Sequence, residues 1–407
     1  MKVYLVGGAV RDTLLGLPIK EQDWVVVGAH PDDLLKLGYQ KVGKSFPVFL
    51  HPDTREEYAL ARTERKSGQG YYGFLVDFRP TVTLEEDLLR RDLTINAIAK
   101  DSEGKLYDPY GGIADIQNKV IRHVSDAFIE DPVRVLRVAR FMARFAPQGF
   151  RIHESTYALM REMVRREECS HLVPERVWQE WQQSLTEKDP TQFISVLRAV
   201  GALKVILPEL DKMFGVPNDI IVSGSADLGL QSLALLQKAV NLEANPSGRF
   251  AVLLSALGKA STPIWFWPKH PGHEAYGVKQ MQSLCKRLTI PNDYERHAVI
   301  FCQFHERLLS LYTLHAHDIV DVLSEIDAFR RPSHLDSTLI LCKISAKSAP
   351  DTLMADWSQL RDLLANIDVN QHFPDLKGAA IKAALYHKRL ALVTEWQNTR
   401  AKHEKKH

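Results

Sequence analysis

The sequence predicts an α+β head over residues 1–125, a small sheet with helices, followed by an all-α neck, body and tail. Three observations predict it. Short β-like runs (VYLVGG, DWVVVG, FPVFL, EYALAR) fall within the first 125 residues, with lengths and Val/Phe/Tyr content that suit strands. Gly-Gly, Pro-Asp and Tyr-Gly-Gly punctuate them as turns. From residue 126 onward Leu, Ala, Gln, Arg and Glu dominate at helical spacing and β-like alternation is scarce, so strands and helices are segregated along the chain. The helical part breaks around Gly215, Pro217 and Gly224, again around Pro263, Pro268, Pro271 and Gly272, and near 345–352. Four parts are expected: a head (1–125), a neck and body (126–220), a further helical domain (221–345) and a helical tail (346–407).

Composition sets outer limits. The 407 residues carry 52 Lys plus Arg against 50 Asp plus Glu, a formal +2, which excludes a strongly basic nucleic-acid coat and an acidic tail protein. Hydrophobic residues at 45% and charged residues at 25% are globular values and argue against wholesale disorder. Cys169, Cys285, Cys302 and Cys342 lie far apart with no CxxC pair, so neither a zinc ribbon nor a disulfide framework is indicated, and lone thiols fit a reducing compartment. The first apolar run, Val3 to Val6, is too short for a signal-peptide core, and no stretch approaches the ~18 apolar residues of a membrane span. A soluble cytoplasmic protein without membrane contact is expected; monomer and homodimer stay open.

The head begins Leu5-Val6-Gly7-Gly8-Ala9-Val10-Arg11-Asp12: a strand, a Gly-Gly turn and a helix start. Glycines let a backbone approach a phosphate, helix-start N–H groups bind anions, and Arg11 would add a charge-assisted contact. The same turn also serves geometry alone, and it is neither a P-loop nor GxGxxG. Next comes Glu21-Gln22-Asp23 before Trp24 and three valines. In an extended strand residues i and i+2 share a face, so Glu21 and Asp23 point the same way. Two close carboxylates repel, and a divalent cation such as Mg²⁺ would relieve them; a solvated edge that guards against strand pairing is the other reading. Glu57, in the β-like run Glu56-Glu57-Tyr58-Ala59-Leu60, would bring a third acid on a neighbouring strand, or stand exposed.

Two arginine motifs follow. Arg90-Arg91-Asp92 precedes an apolar run read as a helix. Arg91 suits a triphosphate and Asp92 a ribose hydroxyl; equally, Asp92 could cap the helix. Then Pro132 opens a helical turn after Asp131, and Arg134, Arg137, Arg140 and Arg144 make one stripe opposite Val135, Val138, Ala139 and Met142. Four arginines without interleaved acids repel, which a triphosphate or an RNA backbone would resolve. At the far end, residues 376–407 hold eight Lys and Arg against Glu395 and Glu404, either a phosphate-backbone contact or a solvated helix.

In this order, GGAVRDTLLG (7–16), EQDW (21–24), RRDLTINA (90–97), EDPVRVLRVARF (130–141) and PERVWQEW (174–181) resemble the bacterial-type CCA-adding tRNA nucleotidyltransferases of the class II, polymerase-β-like superfamily. The similarity runs to the C-terminus and is strongest in the first 180 residues. The resemblance implies a nucleotidyltransferase head that uses CTP, ATP and Mg²⁺ to extend the 3′ end of tRNA by C, C and A. It implies that Glu21 and Asp23 hold the metal, Glu21 standing where Asp is common. Gly8, Arg11 and Arg91 would hold phosphates, with Asp92 near the ribose. Asp131 and Arg134 would read the base edge, Arg137 and Arg140 would complete the pocket, and residues 64–82 would be the loop used in switching from C to A. A carboxylate accepts from the exocyclic amine of cytosine or adenine and an arginine donates to N3 or N1, whereas uracil and guanine present carbonyls.

Some long relatives carry a metal-dependent HD phosphohydrolase domain after residue 220. Here Ser255-Ala256 stands where His-Asp is expected, and Gln231 where another histidine ligand is expected. His270 and His273 remain, but Ser and Ala cannot hold that metal, so phosphohydrolase activity is expected to be absent. His305, His315 and His317 read as surface histidines. The alternatives are a CC-adding or A-adding enzyme, a poly(A) polymerase, and a non-catalytic RNA-binding protein.

Overall fold

The computed structural model describes residues 1–42, 48–66, 74–222, 225–345 and 351–404. The chain forms two compact units, Met1–Pro208 and Glu209–His407.

In the first unit β1 (Lys2–Val6) runs into α1 (Gly8–Leu14) through Gly7, whose φ of 71° favours glycine. Then come β2 (Asp23–Val27), α2 (Pro31–Lys36), β3 (Gln40–Val42), β4 (Val48–Leu50) and β5 (Glu57–Leu60). β6 (Thr63–Lys66) and β7 (Phe74–Asp77) pair as a separate antiparallel hairpin. Residues 67–73 of the expected C-to-A loop, and Phe46 and Pro47 of FPVFL, lie outside the described residues. α3 (Leu84–Leu89) starts at a capping box in which Thr83 Oγ1 accepts from Glu86 N and the Glu86 carboxylate accepts from Thr83 N.

With β8 (Ala99–Lys100) and β9 (Leu106–Tyr107), seven strands form one sheet in the order β3-β4-β5-β2-β1-β8-β9. β2 and β5 pair in parallel, their neighbours antiparallel. The register sets Asp23 beside Glu57 on one side and Val6 on the other. Side chains alternate as a strand demands: Val25 joins Tyr4, Val6, Leu84 and Leu88 in one core cluster, while Val26 joins Leu34, Phe49 and Tyr58 in another.

The run after Arg90-Arg91-Asp92 differs from the helix expected of it. Thr94–Asn96 is a single 3₁₀ turn that passes into β8, so Asp92 caps no helix. Tertiary packing explains the change. α4 (Gly112–Gln117) presses on this turn so closely that a Cβ on Gly112 would lie 2.1 Å from Thr94 O. The helical part of the unit is α5 (Val133–Phe145), α6 (Glu154–Arg165), α7 (Pro174–Leu185) and α8 (Thr191–Ala199). Val135, Val138, Ala139 and Met142 of α5 are buried, as the stripe pattern requires.

The second unit is mainly helical, with long helices at Leu228–Asn241, His273–Arg287, Asn292–Leu309, Pro332–Ser345 and Ala379–Glu404. It opens on a hairpin, Pro217–Val222 with Ser225–Asp227, at the break expected around 215–225; strands were not expected in this all-α part, and the β-branched run Ile220-Ile221-Val222 accounts for them. The four cysteines are buried and unpaired, and burial pushes each thiol up to about 12. Among the described residues no helix is long and apolar enough to cross a membrane.

The Gly112 contact gives a direct test. Gly112→Ala should cost about 1–3 kcal/mol in urea unfolding, because its methyl group must push back the Thr94–Asn96 turn that follows Asp92.

Candidate active site

A cleft of about 530 Å³ opens in the first unit. Gly7 and Gly8 of the β1–α1 turn line it with Arg11 of α1, and Glu21 and Asp23 stand at the entry to β2. Arg90, Arg91, Asp92 and Asn96 come from the segment after α3; Asp131, Arg134, Arg137, Arg140 and Arg144 come from the start and one face of α5. Every residue that the sequence singled out for the site is there except Glu57. Glu57 is exposed and in register with Asp23, but it does not line the cleft. Glu21 also departs from expectation: β2 begins at Asp23, so Glu21 reaches the cleft from the preceding coil rather than from the strand.

The phosphate-type residues are braced from behind. Arg11 is 4% exposed; Nε donates to Asp12 at 2.8 Å and Nη1 to Asn96 Oδ1 at 2.6 Å, and the guanidinium lies 5.2 Å from the ring centres of both Phe141 and Phe145. Arg91 Nη2 donates to Asp87 at 3.2 Å, while its Nε is buried without a hydrogen-bond partner. A Cβ on Gly7 would lie 3.0 Å from Arg91 Nη1, so the turn must stay bare for this arginine to reach the cleft. Burial pushes the Asp87 carboxyl up, and Arg90 and Arg91 more than reverse it.

The α5 stripe corrects a further expectation. Its arginines are not left to repel, because acids from other elements meet them. Arg137 Nε pairs with Asp92 at 2.6 Å, Arg140 Nε with Glu180 at 2.6 Å, and Arg144 Nη2 with Asp12 at 2.9 Å. Arg134 donates to the carbonyls of Ala127 at 2.9 Å and Arg90 at 2.7 Å. Asp131 accepts both Nη atoms of Arg176, at 3.1 and 2.8 Å, and the Val133 N–H at 3.1 Å. Asp92 is 7% exposed; burial raises its carboxyl, but Arg137 and Asn96 reverse that and hold it far below the usual range. Arg137 is raised in turn, by Asp92 first.

Asp23 behaves oppositely. Desolvation in the cleft raises its carboxyl, Arg91 opposes the rise, and Glu21 adds to it. Two hard oxygen donors whose charges disfavour each other suit a divalent cation. Lining the cleft are eight arginines against four carboxylates, an excess of positive charge that suits a polyanion.

Sequence reasoning assigned no role to Asp12, Asp87, Asn96, Arg176 or Glu180. Only the last two left a usable signal: with Gln183 they recur at i, i+4 and i+7 in α7. In the second unit, Gln231 accepts from Asn218 Nδ2 and donates to Ser225 O, both at 2.8 Å, and Ser255 Oγ donates to Val252 O at 2.9 Å. His315 and His317 stack at the surface as expected, but His305 does not join them: its side chain is only 12% exposed. Of the tail cations among the described residues, Arg389 stacks on Phe329 and Arg400 pairs with Asp356, so at least these two are engaged within the fold.

Residues 3–122 match the family model of the poly A polymerase head domain, and residues 149–214 match that of the "probable RNA and SrmB-binding site of polymerase A". The chain is 54% identical over 407 residues to a multifunctional CCA protein of Legionella pneumophila subsp. pneumophila strain Philadelphia 1, covering 98% of this chain and 99% of that protein. It resembles in fold the solved Bacillus stearothermophilus CCA-adding enzyme in complex with CTP, with TM-score 0.64, 22% identity, and 99% and 94% of the two chains covered. It also resembles the Thermotoga maritima CCA-adding enzyme complexed with tRNA, with TM-score 0.62, 20% identity, and 96% and 86% covered.

The Asp92–Arg137 pair yields a pH test. Asp92→Asn should cost about 1–2 kcal/mol near neutral pH, because Arg137, about a third exposed, loses its nearest carboxylate and keeps only Glu180 at 3.9 Å. The lowered carboxyl contributes stability that is complete above its unfolded value of about 3.9 and is lost as pH falls through the folded value. Urea titrations should therefore show the gap between wild type and Asp92→Asn narrowing below about pH 4.

Proposed function

The chain belongs to the CCA-adding tRNA nucleotidyltransferases, and from that premise we propose how its residues perform the reaction. The enzyme adds C, C and A to the 3′ end of tRNA, with CTP and ATP as donors. What carries the mechanistic reading is that one cleft is lined both by the Glu21 and Asp23 carboxylates and by Asp131 with Arg134.

The family uses a divalent metal, which we take to be Mg²⁺. Glu21 and Asp23 would hold it, and when bound it would neutralise charge developing on the transferring phosphoryl group. Gly7 and Gly8 let the triphosphate come close to the β1–α1 turn, and Arg91, which lines the cleft, offers its guanidinium to a phosphate oxygen. The RNA 3′-hydroxyl oxygen attacks the α-phosphorus; the bond to the bridging oxygen breaks and pyrophosphate leaves. Asp92, braced by Arg137, is placed for the ribose. Asp131, held by Arg176, accepts from the exocyclic amine of cytosine or adenine, and Arg134 donates to N3 or N1. Arg137 and Arg140, tied to Glu180, complete the wall. Glu57 stands close by in sequence register as an auxiliary acid. The functional subdivision is a head (1–125), a neck and body (126–220), a helical domain without phosphohydrolase activity (221–345) and a tail that contacts tRNA phosphates (346–407).

Transcripts ending at the discriminator base, after C and after CC test this, incubated with Mg²⁺ and CTP, ATP or both. Stepwise growth to CCA and a stop is expected. A halt at CC, addition of A only, or a long A tail would reassign the chain to a partial enzyme or a poly(A) polymerase. Asp23→Asn should lower addition by about 1000-fold while tRNA binding persists; if tRNA binding fell with it, the carboxylate reading would be wrong. Asp131→Ala should admit UTP or GTP at the positions that wild type fills with C and A.

A further inference from the structure

In the second unit, folding leaves one apolar run in water. After Pro263 the chain makes a single 3₁₀ turn, Ile264–Phe266, and its three residues are 70%, 76% and 45% exposed. Three consecutive exposed apolar residues add nothing to a core, and a tryptophan in a stable fold is usually mostly buried. Trp267 shows the contrast: it is half-buried, and its Nε1 donates to Thr262 O at 3.2 Å. The turn is held by its own backbone. Phe266 N donates to Pro263 O at 2.9 Å, and Phe266 O accepts from Lys269 N at 2.9 Å and His270 N at 3.0 Å. A fixed loop therefore presents the rings of Trp265 and Phe266, with centres 6.3 Å apart and planes tilted by 57°. At that tilt the rings do not stack on each other, so each keeps a face for a ligand.

The helix that follows, His273–Arg287, carries the same chemistry onward. Tyr276 is 45% exposed, and Lys279 and Lys286 share its outer face at helical spacing. Helix and turn belong to one piece: Gln280 Nε2 donates to Ser261 Oγ, and a Cβ on Gly258 would lie 2.0 Å from His273 O. Between Ser255 and Ile290 stand five Lys or Arg against one acid, Glu274. Lys269, Lys279 and Lys286 are exposed among them. Protein-docking surfaces are enriched in aromatic residues but depleted of lysine. Aromatic rings bordered by lysines are what a single nucleic-acid strand requires, with bases on the rings and phosphates on the ammonium groups. We infer that Trp265 and Phe266, with Tyr276 on the adjoining helix, are a stacking platform for unpaired bases of bound RNA, and that Lys269 and Lys279 meet its phosphates. Bases inside a duplex have no free face, so the platform takes nucleotides of loops and single-stranded ends. The identity of that RNA as tRNA rests on the reading under Proposed function; the platform itself concerns binding and not the chemical step.

Photocrosslinking of the full-length protein to tRNA transcripts with 5-iodouridine at unpaired positions tests the assignment, because iodouracil crosslinks to the ring it stacks on. The crosslinked peptide should contain Trp265, Phe266 or Tyr276. Trp265→Ala and Phe266→Ala should each weaken tRNA binding and raise the KM for tRNA by about fivefold or more, with kcat for CCA addition unchanged. Trp265→Leu keeps an apolar surface without an aromatic face and should behave as Trp265→Ala does, whereas Trp265→Tyr should retain most of the affinity. Lys269→Gln and Lys279→Gln should each flatten the dependence of log Kd on log salt by about 0.7. All these side chains are exposed, so the variants should fold as the wild type does. Crosslinks confined to other peptides, or a Trp265→Leu protein that binds tRNA as tightly as wild type, would overturn the platform. So would a changed oligomeric state with unchanged RNA affinity, which would make the patch a protein interface. Wild-type CCA addition, measured in the same samples, separates failure of the platform from failure of the tRNA reading.

Discussion

The cleft depends on carboxylates buried away from water and kept ionised by arginines. Asp92 and Arg137, 2.6 Å apart, are the centre of it. Removing a carboxylate from water costs several kcal/mol, and a pair about 4 Å apart at an effective dielectric of 20 recovers about 4. One ion pair therefore roughly breaks even. Asp92 does better because it also accepts from Asn96 Nδ2 at 3.2 Å and from the Leu93 N–H at 2.9 Å, which is why its carboxyl falls below the usual range instead of rising above it.

From that pair the order spreads through shared partners. Asn96 donates to Asp92 while accepting from Arg11; Arg11 pairs with Asp12, which also holds Arg144; Arg137 and Arg140 meet at Glu180. The β1–α1 turn, the Arg-Arg-Asp turn, α5 and α7 are thus joined by charge. The supporting acids Asp12, Asp87 and Glu180 also absorb much of the arginine excess. Arginines committed in this way offer directed donors more than free charge. On the proposed reading, this is why a bound triphosphate still needs a divalent cation at Glu21 and Asp23.

Local features of this site were legible in the sequence. The Gly-Gly turn announces itself because the φ of 71° with ψ of −127° at Gly7 strongly favours glycine, and the α5 stripe follows from helical period alone. Which face each residue of Trp24-Val25-Val26-Val27 takes was not legible, because the run is apolar throughout; the structure sends Val25 and Val26 to different core clusters. Features set by distant segments were not legible. The stripe seemed unbalanced because Asp12, Asp92 and Glu180 lie up to 132 residues away in sequence from the arginines they meet. A helix was expected after Asp92 because nothing nearby shows α4 pressing on that turn. His305 was grouped with His315 and His317 by proximity in sequence, whereas folding buries most of its side chain.

On the proposed reading, in which Asp131 meets the base edge, its Arg176 clamp bears on selection of the nucleotide. A free carboxylate rotates and can present either oxygen to many donors. Asp131 is fixed by two bonds from Arg176 and one from the Val133 N–H, so its remaining acceptor positions point in set directions. An acceptor fixed in this way rewards a base with an amine at that point and penalises one with a carbonyl, whose oxygen would face it without a proton between them. Cytosine and adenine share the amine; uracil and guanine share the carbonyl. On that reading, discrimination between the two pairs needs no nucleic-acid template, because α7 supplies through Arg176 the rigidity that a template strand would otherwise provide.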